Sequence, residues 1–555
     1  MFKKLNIVIL LIVLAFPAVM ALLVPGFFGA SDDLHIAWLY EMDQTIKTGQ
    51  IPPRFVPDLS YGFGYPLFNF VFPLPFYIGE IFHLLGFSLV DSIKIVFAIS
   101  VLGSILAMYA FLRKISNKVV GVAGAVLYTY VPYRATDIYD RGAVGESLAF
   151  VFLPLIILAV IKTTGSKLSS WKWIAMGSLS IAGLVLSHNI TTFMFLPFAF
   201  LLGISIAVFD KKFKPFLHLM ISFILGLVIS SYFWIPALLD SGLVKYDTVF
   251  NFVDHFPTIL QLIKPYWGYG ASVPGPYDGM SFYIGVVSTF VLILSSTVFV
   301  LKFKKFFYLE KIIILWGFTC ILISVFLMNY RSSFVWSSVP LLPFFQFPWR
   351  FLIMITFITP LLLITLQKIK FLFWVGVFVA GASLMTGVLL FKPNDFLGRM
   401  DNYYLNRYIP SLTVSQEYQN LQEEYLRLPR DTKQRPDKKY PLVYSEEATP
   451  SGRIKNILEK NKLHVSVETS SKEDFQINYT KYYFPGWIGM LDGKQVNLYP
   501  GKPFGQITTD VPSGDHKLEI KFQETVRNIV LDIISLLSFV AVISLFLFKK
   551  RKDDI

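Results

Sequence analysis

The chain has 555 residues, 54% of them hydrophobic and 16% charged, with a formal net charge of +13. Soluble domains carry about 25% charged residues, so a single water-soluble core is excluded and a polytopic membrane protein is expected. The lone cysteine, Cys320, rules out a disulfide framework and any cysteine-rich metal cluster.

Apolar runs of roughly 17–25 residues, the length that crosses a bilayer, occur at 5–24, 88–112, 119–134, 147–162, 173–188, 190–209, 215–239, 280–301, 307–328, 351–367, 371–391 and 527–548. The first follows Lys3 and Lys4. It is longer than the apolar stretch of about 7–15 residues in a cleaved signal, so it reads as an uncleaved anchor.

Basic residues collect on alternate connections. They are Arg113, Lys114 and Lys118; Lys162, Lys167 and Lys172; Lys211, Lys212 and Lys214; Lys302, Lys304, Lys305 and Lys311; Lys368 and Lys370; and Lys549, Lys550, Arg551 and Lys552. Only Asp210, Glu310, Asp553 and Asp554 oppose them there, while the opposite connections are net acidic. The positive-inside rule then places both termini in the cytoplasm. The positive charge is an orientation device, and no nucleic-acid partner is expected.

Two outer regions stand out. Residues 25–87 form a long first outer loop within a membrane region spanning 1–391. Residues 392–525 form an extracytoplasmic insert, followed by the last span and a basic tail at 526–555. The insert reads as helical near 411–430. At 462–523 it alternates in strand fashion, with turns at Pro485-Gly486, Asp492-Gly493 and Ser513-Gly514, which predicts a small β-sandwich.

Candidate chemistry sits at the outer edge. In GASDDLHIAWLYEMDQ, Ser31 can cap a helix, and Asp32 and Asp33 suit its first turn. Carboxylates beside a span are also expensive to desolvate and are candidates for a general base. The helix over 33–47 is expected along the membrane interface, with Leu34, Trp38 and Met42 on one stripe. LSYGFGYPLFNFVFPLPFY places polar Asn69 among aromatics, in a Pro-rich segment that must be buried in protein or line a cavity at membrane depth. YRATDIYDRGAVGESLAF carries Arg134, Asp137, Asp140, Arg141 and Glu146, with Glu146 opening the fourth span. Arg141 and Glu146 are five apart across two glycines and need not face each other.

His188 ends the fifth span. It reads first as a satisfied helix end, since no second ligand or HExxH pattern accompanies it. Arg331 lies in a later outer loop, and PLLPFFQFPWRFL ends on Arg350, which either snorkels or holds a phosphate. The loop 264–279 is a candidate substrate surface. P-loop, GxSxG and Rossmann patterns are absent from the sequence.

The first outer loop, SDDLHIAW through LSYGFGYPLFNFVFPLPFY, together with YDRGAVGESLAFVFLPL, LSHNITTFMFLP and FQFPWRF, resembles the "6-pyruvoyl-tetrahydropterin synthase-related" membrane proteins. These in turn resemble lipid-dependent glycosyltransferases of the GT-C fold. YYFPGWIGMLDGKQV and ITTDVPSGDHKLEIKF resemble the outer β-domain of YfhO-like membrane proteins. Pterin-synthase chemistry is not expected, because a three-histidine zinc site is missing from the sequence.

The resemblance implies an α-helical, GT-C-like membrane protein with about twelve spans and a small C-terminal extracytoplasmic β-sandwich-like domain. It implies an inverting transfer of a sugar from a polyprenyl-phosphate carrier to a glycan, lipid or protein acceptor in the cell envelope. Asp32 or Asp33 would be the base, and Glu146 or Asp140 a second acid that positions the acceptor or, in some relatives, a divalent metal ion. Arg141 and Arg350 would hold the lipid phosphate, and His35 would orient Asp32. Asn69, His188 and Arg331 complete the candidate substrate contacts. The rival readings are a transporter or flippase of polyprenyl-linked glycans and a non-catalytic envelope assembly protein.

Overall fold

The structure is a computed structural model that describes residues 2–164, 171–209, 213–245, 251–409, 427–445 and 453–548. The helix expected near 411–430 lies mostly outside them. Each of the twelve apolar runs carries a helix. Seven helical stretches are long and apolar enough to cross a membrane. An eighth crossing is a pair, Lys214–Ile229 and Ser231–Leu239, bent by 73°. Four shorter apolar helices, Lys118–Tyr130, Trp171–Ser187, Val286–Leu301 and Leu372–Gly387, account for the rest.

The bend at Ser230 has a local cause. The Ser230 hydroxyl donates to the Gly226 carbonyl at 3.0 Å, and the Tyr232 amide donates to Ser535 Oγ on the last helix at 3.0 Å. A side-chain bond and an inter-helix bond replace part of the regular ladder, a recognised origin of kinks. The Lys118–Tyr130 helix stops because Val131 precedes Pro132 and is extended (φ −61°, ψ 134°).

Three of the basic connections, around Ser116, Glu310 and Lys368, meet at one end of the bundle. Glu310 bonds Lys368 at 2.9 Å and Gln367 at 2.6 Å, and Ser116 reaches Gln367 at 3.3 Å. The other end carries the C-terminal domain. Its two antiparallel sheets are built from β1 (Val443–Tyr444), β2 (Ile454–Asn461), β3 (His464–Ser471), β4 (Phe475–Tyr482), β5 (Trp487–Leu491), β6 (Lys494–Val496), β7 (Tyr499–Pro500), β8 (Gln506–Val511) and β9 (Gly514–Phe522). The orders are β1-β4-β8-β7 and β2-β3-β9-β5-β6. Buried Val465, Val467, Ile477, Tyr479, Ile507 and Ile520 follow the period-2 alternation of strands. Tyr479 of the first sheet meets Trp487 of the second edge-on at 5.6 Å.

This β-domain is fastened to the first loop. Buried Lys481 donates to the carbonyls of Pro57 (2.8 Å) and Gly62 (2.7 Å). The Tyr482 amide donates to the Phe63 carbonyl at 2.9 Å, and Lys462 pairs with Asp58 at 2.5 Å. The loop helix, His35–Lys47, therefore lies between membrane helices and the outer domain, with Ile36, Ala37, Trp38, Leu39, Glu41 and Met42 all buried. That corrects the interfacial placement: protein, not lipid, covers it. It also starts at His35, three residues after Asp32. Ser31 does not cap it; its hydroxyl reaches the Asp140 carbonyl instead.

Candidate functional site

The first and second outer loops are joined through their main chains. The Asp32 amide donates to the Arg141 carbonyl at 2.7 Å, and the Ser31 amide to the Asp140 carbonyl at 3.1 Å. Gly142 makes the approach possible. It has φ +72°, and a Cβ there would lie 2.9 Å from the Ala30 Cβ. His35 Nδ1 lies 3.1 Å from the Gly142 carbonyl, which can only accept, so Nδ1 carries the proton.

A cavity of about 90 Å³ opens at this junction. Of the expected residues, Asp32, His35, Arg141, Glu146, His188 and Arg350 line it. The chain also brings in Trp38, Phe70, Phe72, Asn189, Gln346 and Arg427. Arg427 enters from the insert. It stacks over Trp38 at 4.9 Å, and its neighbour Leu428 is tied by its carbonyl to the Lys245 amide at 3.2 Å. Nothing in the local sequence marks it, because it belongs to no polar motif of the outer loops.

Four expected residues fall elsewhere. Asp33 accepts from the Tyr408 hydroxyl, and burial pushes its carboxyl above the ordinary range. Asn69 accepts from Arg54 at 3.3 Å. Asp140 accepts the Gly270 amide at 2.8 Å, which ties the 264–279 loop to the site, and burial pushes it up to about 6. Arg331 is exposed on a short 3-10 turn, Tyr330–Ser332.

Arg141 and Glu146 face each other after all. A π-helical turn over Thr136–Arg141 and the left-handed Gly142 fold the segment back. Arg141 Nη1 then bonds Asp137 Oδ1 at 2.9 Å and Glu146 Oε2 at 2.8 Å. Tyr133 donates to Glu146 Oε1 at 2.5 Å, and Ser147 donates to Asp137 Oδ2 at 2.6 Å. The Trp349 indole lies under the guanidinium at 4.9 Å. All four carboxylate oxygens of this cluster are engaged.

Arg350 differs. It is 7% exposed and gives one bond, Nη2 to Gln346 Oε1 at 2.9 Å, while Nε and Nη1 have no partner among the described residues. Gln346 holds that bond from a left-handed backbone, φ +68°, an arrangement that costs energy for a non-glycine residue and clusters at functional sites. Trp349 and Phe347 flank the guanidinium.

A divalent ion finds no donor set here. Among the described residues no three His, Cys, Asp or Glu side chains come together to hold a metal, and both oxygens of Glu146 already have partners.

The fold and site define a multi-pass membrane protein with a charged cavity walled by the first two outer loops, the helix break at His188, the Gln346–Arg350 turn and Arg427 of the insert. The family model described as "6-pyruvoyl-tetrahydropterin synthase related domain; membrane protein" matches residues 68–392, more than half of the chain, and the chain belongs to that family. A curated relative, an uncharacterized protein of Lactococcus lactis subsp. cremoris (strain MG1363), is 27% identical over 183 residues, which is 32% of this chain and 30% of the relative. Among solved structures, the chain is similar to arabinofuranosyltransferase AftD from Mycobacteria, at 15% identity and a TM-score of 0.43 over 73% of this chain and 28% of AftD. It is also similar to ArnT from Cupriavidus metallidurans, at 12% identity and a TM-score of 0.39 over 69% of this chain and 63% of ArnT. The chain thus spans less than a third of the Lactococcus relative and of AftD.

Proposed function

We propose that the protein is a membrane glycosyltransferase that moves a sugar from a polyprenyl-phosphate carrier to an envelope acceptor at the outer face, with both termini cytoplasmic. The supporting observation is the pairing, in one cavity, of Asp32 with the partly unbonded guanidinium of Arg350. A buried donor group without an acceptor is costly, and a phosphate oxygen matches the guanidinium's planar fork.

In this reading Asp32 takes the proton from the acceptor hydroxyl. The acceptor oxygen bonds the anomeric carbon as the bond from that carbon to the carrier phosphate oxygen breaks. The electron pair leaves on the lipid phosphate, where Arg350 stabilises it. In-line displacement inverts the anomeric centre. Glu146 acts as a positioning residue, since it fixes Arg141 beside the cavity. Asp33, turned toward Tyr408, is outside the reaction. His35 holds the two loops together through Gly142.

The test is sugar transfer by purified, reconstituted protein supplied with polyprenyl-phosphate sugars. General-base catalysis contributes about 10²–10⁴-fold, so Asp32→Asn is expected to lose at least a hundredfold in turnover, and Asp33→Asn no more than a few fold. Equal turnover for Asp32→Asn and wild type sinks the catalytic reading. Flipping of labelled carrier across vesicles without sugar transfer establishes the transporter reading instead.

A further inference from the structure

His188 occupies the single-residue break between the helices Trp171–Ser187 and Asn189–Phe209. Its backbone remains within the helical ladder: the amide donates to the Leu184 carbonyl at 3.1 Å, and its carbonyl accepts the Thr192 amide at 3.1 Å. The ring is wedged edge-on against Phe72 at 5.4 Å and is 7% exposed.

The ring nitrogens are distinguishable. The Thr191 amide donates to Nδ1 at 3.3 Å, and Thr191 Oγ1 lies 2.7 Å from the same atom. An amide N–H can only donate, so Nδ1 must present its lone pair, and the hydroxyl donates to it as well. A neutral imidazole then carries its single proton on Nε2. Protonating Nδ1 would set its hydrogen against the amide hydrogen, in a cavity that already holds Arg141 and Arg350. Helix capping uses only Nδ1. Nε2 has no protein partner among the described residues, and the residue lines the cavity.

We infer that His188 is a substrate-binding residue locked as the Nε2–H tautomer, a neutral hydrogen-bond donor that shares the lipid-phosphate oxyanion with Arg350. The assignment rests on the functional reading above and adds to it a donor whose proton position is set by the main chain. A neutral donor strengthens its bond as negative charge grows on the leaving oxygen, and it takes no proton from the acceptor. It is thus the counterpart of Asp32 across the cavity.

Capping and donation can be separated by substitution. Asparagine places its amide where Nδ1 lies and keeps the cap; glutamine extends its amide toward the Nε2 position and weakens the cap. Undecaprenyl phosphate is titrated onto purified full-length protein in detergent, alongside thermal melting. Hydrogen bonds to charged groups are worth more than neutral ones, so His188→Asn is expected to bind at least tenfold more weakly with a near-native Tm. His188→Gln is expected to bind within about threefold of wild type with a lowered Tm. ¹⁵N spectra of ring-labelled protein are expected to show the protonated nitrogen at Nε2. Wild-type affinity in His188→Asn, or a proton on Nδ1, overturns the role of His188 and leaves the transferase reading standing. A wild type that binds no lipid phosphate overturns both.

Discussion

Two arginines of one cavity, Arg141 and Arg350, show how the same side chain meets two different surroundings. Around Arg141, two carboxylates, a tyrosine, a serine and an indole close a saturated network, with every carboxylate oxygen bonded. Around Arg350, one amide oxygen is the sole bonded acceptor among the described residues, and two guanidinium nitrogens are left over there. Both arginines are buried, and the bonds that offset that burial are many at Arg141 and one at Arg350. In the proposed mechanism the saturated cluster is scaffold, and the unsaturated guanidinium takes the lipid phosphate.

Substitution at each arginine can break that contrast. Arg141→Met strips the counter-charge from buried Asp137 and Glu146, and removing one partner of a buried pair costs about 3–5 kcal/mol. The expected outcome is a large fall in Tm, read by thermal melting in detergent. Arg350→Met removes a cation with little protein compensation, so Tm is expected to hold or rise while kcat/KM falls about a hundredfold, equivalent to about 2.7 kcal/mol. A Tm loss at Arg350 as deep as that at Arg141 would erase the distinction.

Asp140 sits between the two cases, with Oδ1 bonded to Gly270 and Oδ2 buried without a partner among the described residues. Burial pushes its carboxyl up to about 6, above the ordinary aspartate value near 4. The folded state therefore binds more protons in that window, and stability from this group is full below about pH 4 and lost as pH rises through 6. Asp140→Asn is expected to match wild type near pH 4 and to exceed it by about 3 kcal/mol at pH 7. Melting curves across that range check the crossover, and parallel curves would place Asp140 with the saturated cluster.

Much of the membrane architecture was legible because spans are written as long apolar runs. The kink at Ser230 was not. Serine leaves the run apolar enough to read as one span, and the bond to Ser535 joins positions about 300 residues apart. The cavity was legible in part. Asp32, Glu146, His188 and Arg350 declare themselves as polar groups at helix ends. That Asp33 turns to Tyr408 while Asp32 lines the cavity was not legible, nor was the stacking of Arg427 over Trp38. The pairing of Arg141 with Glu146 was hidden because a π-helical turn shifts the helical spacing on which such readings depend.

Gly142 has a wider consequence. It lets the two loops meet through amide and carbonyl, and the Ser31 hydroxyl and the His35 ring add bonds to the carbonyls of the same seam. A side chain at position 142 would press on Ala30 and push that seam open, so one hydrogen atom at Gly142 sets how far Asp32 stands from Arg141.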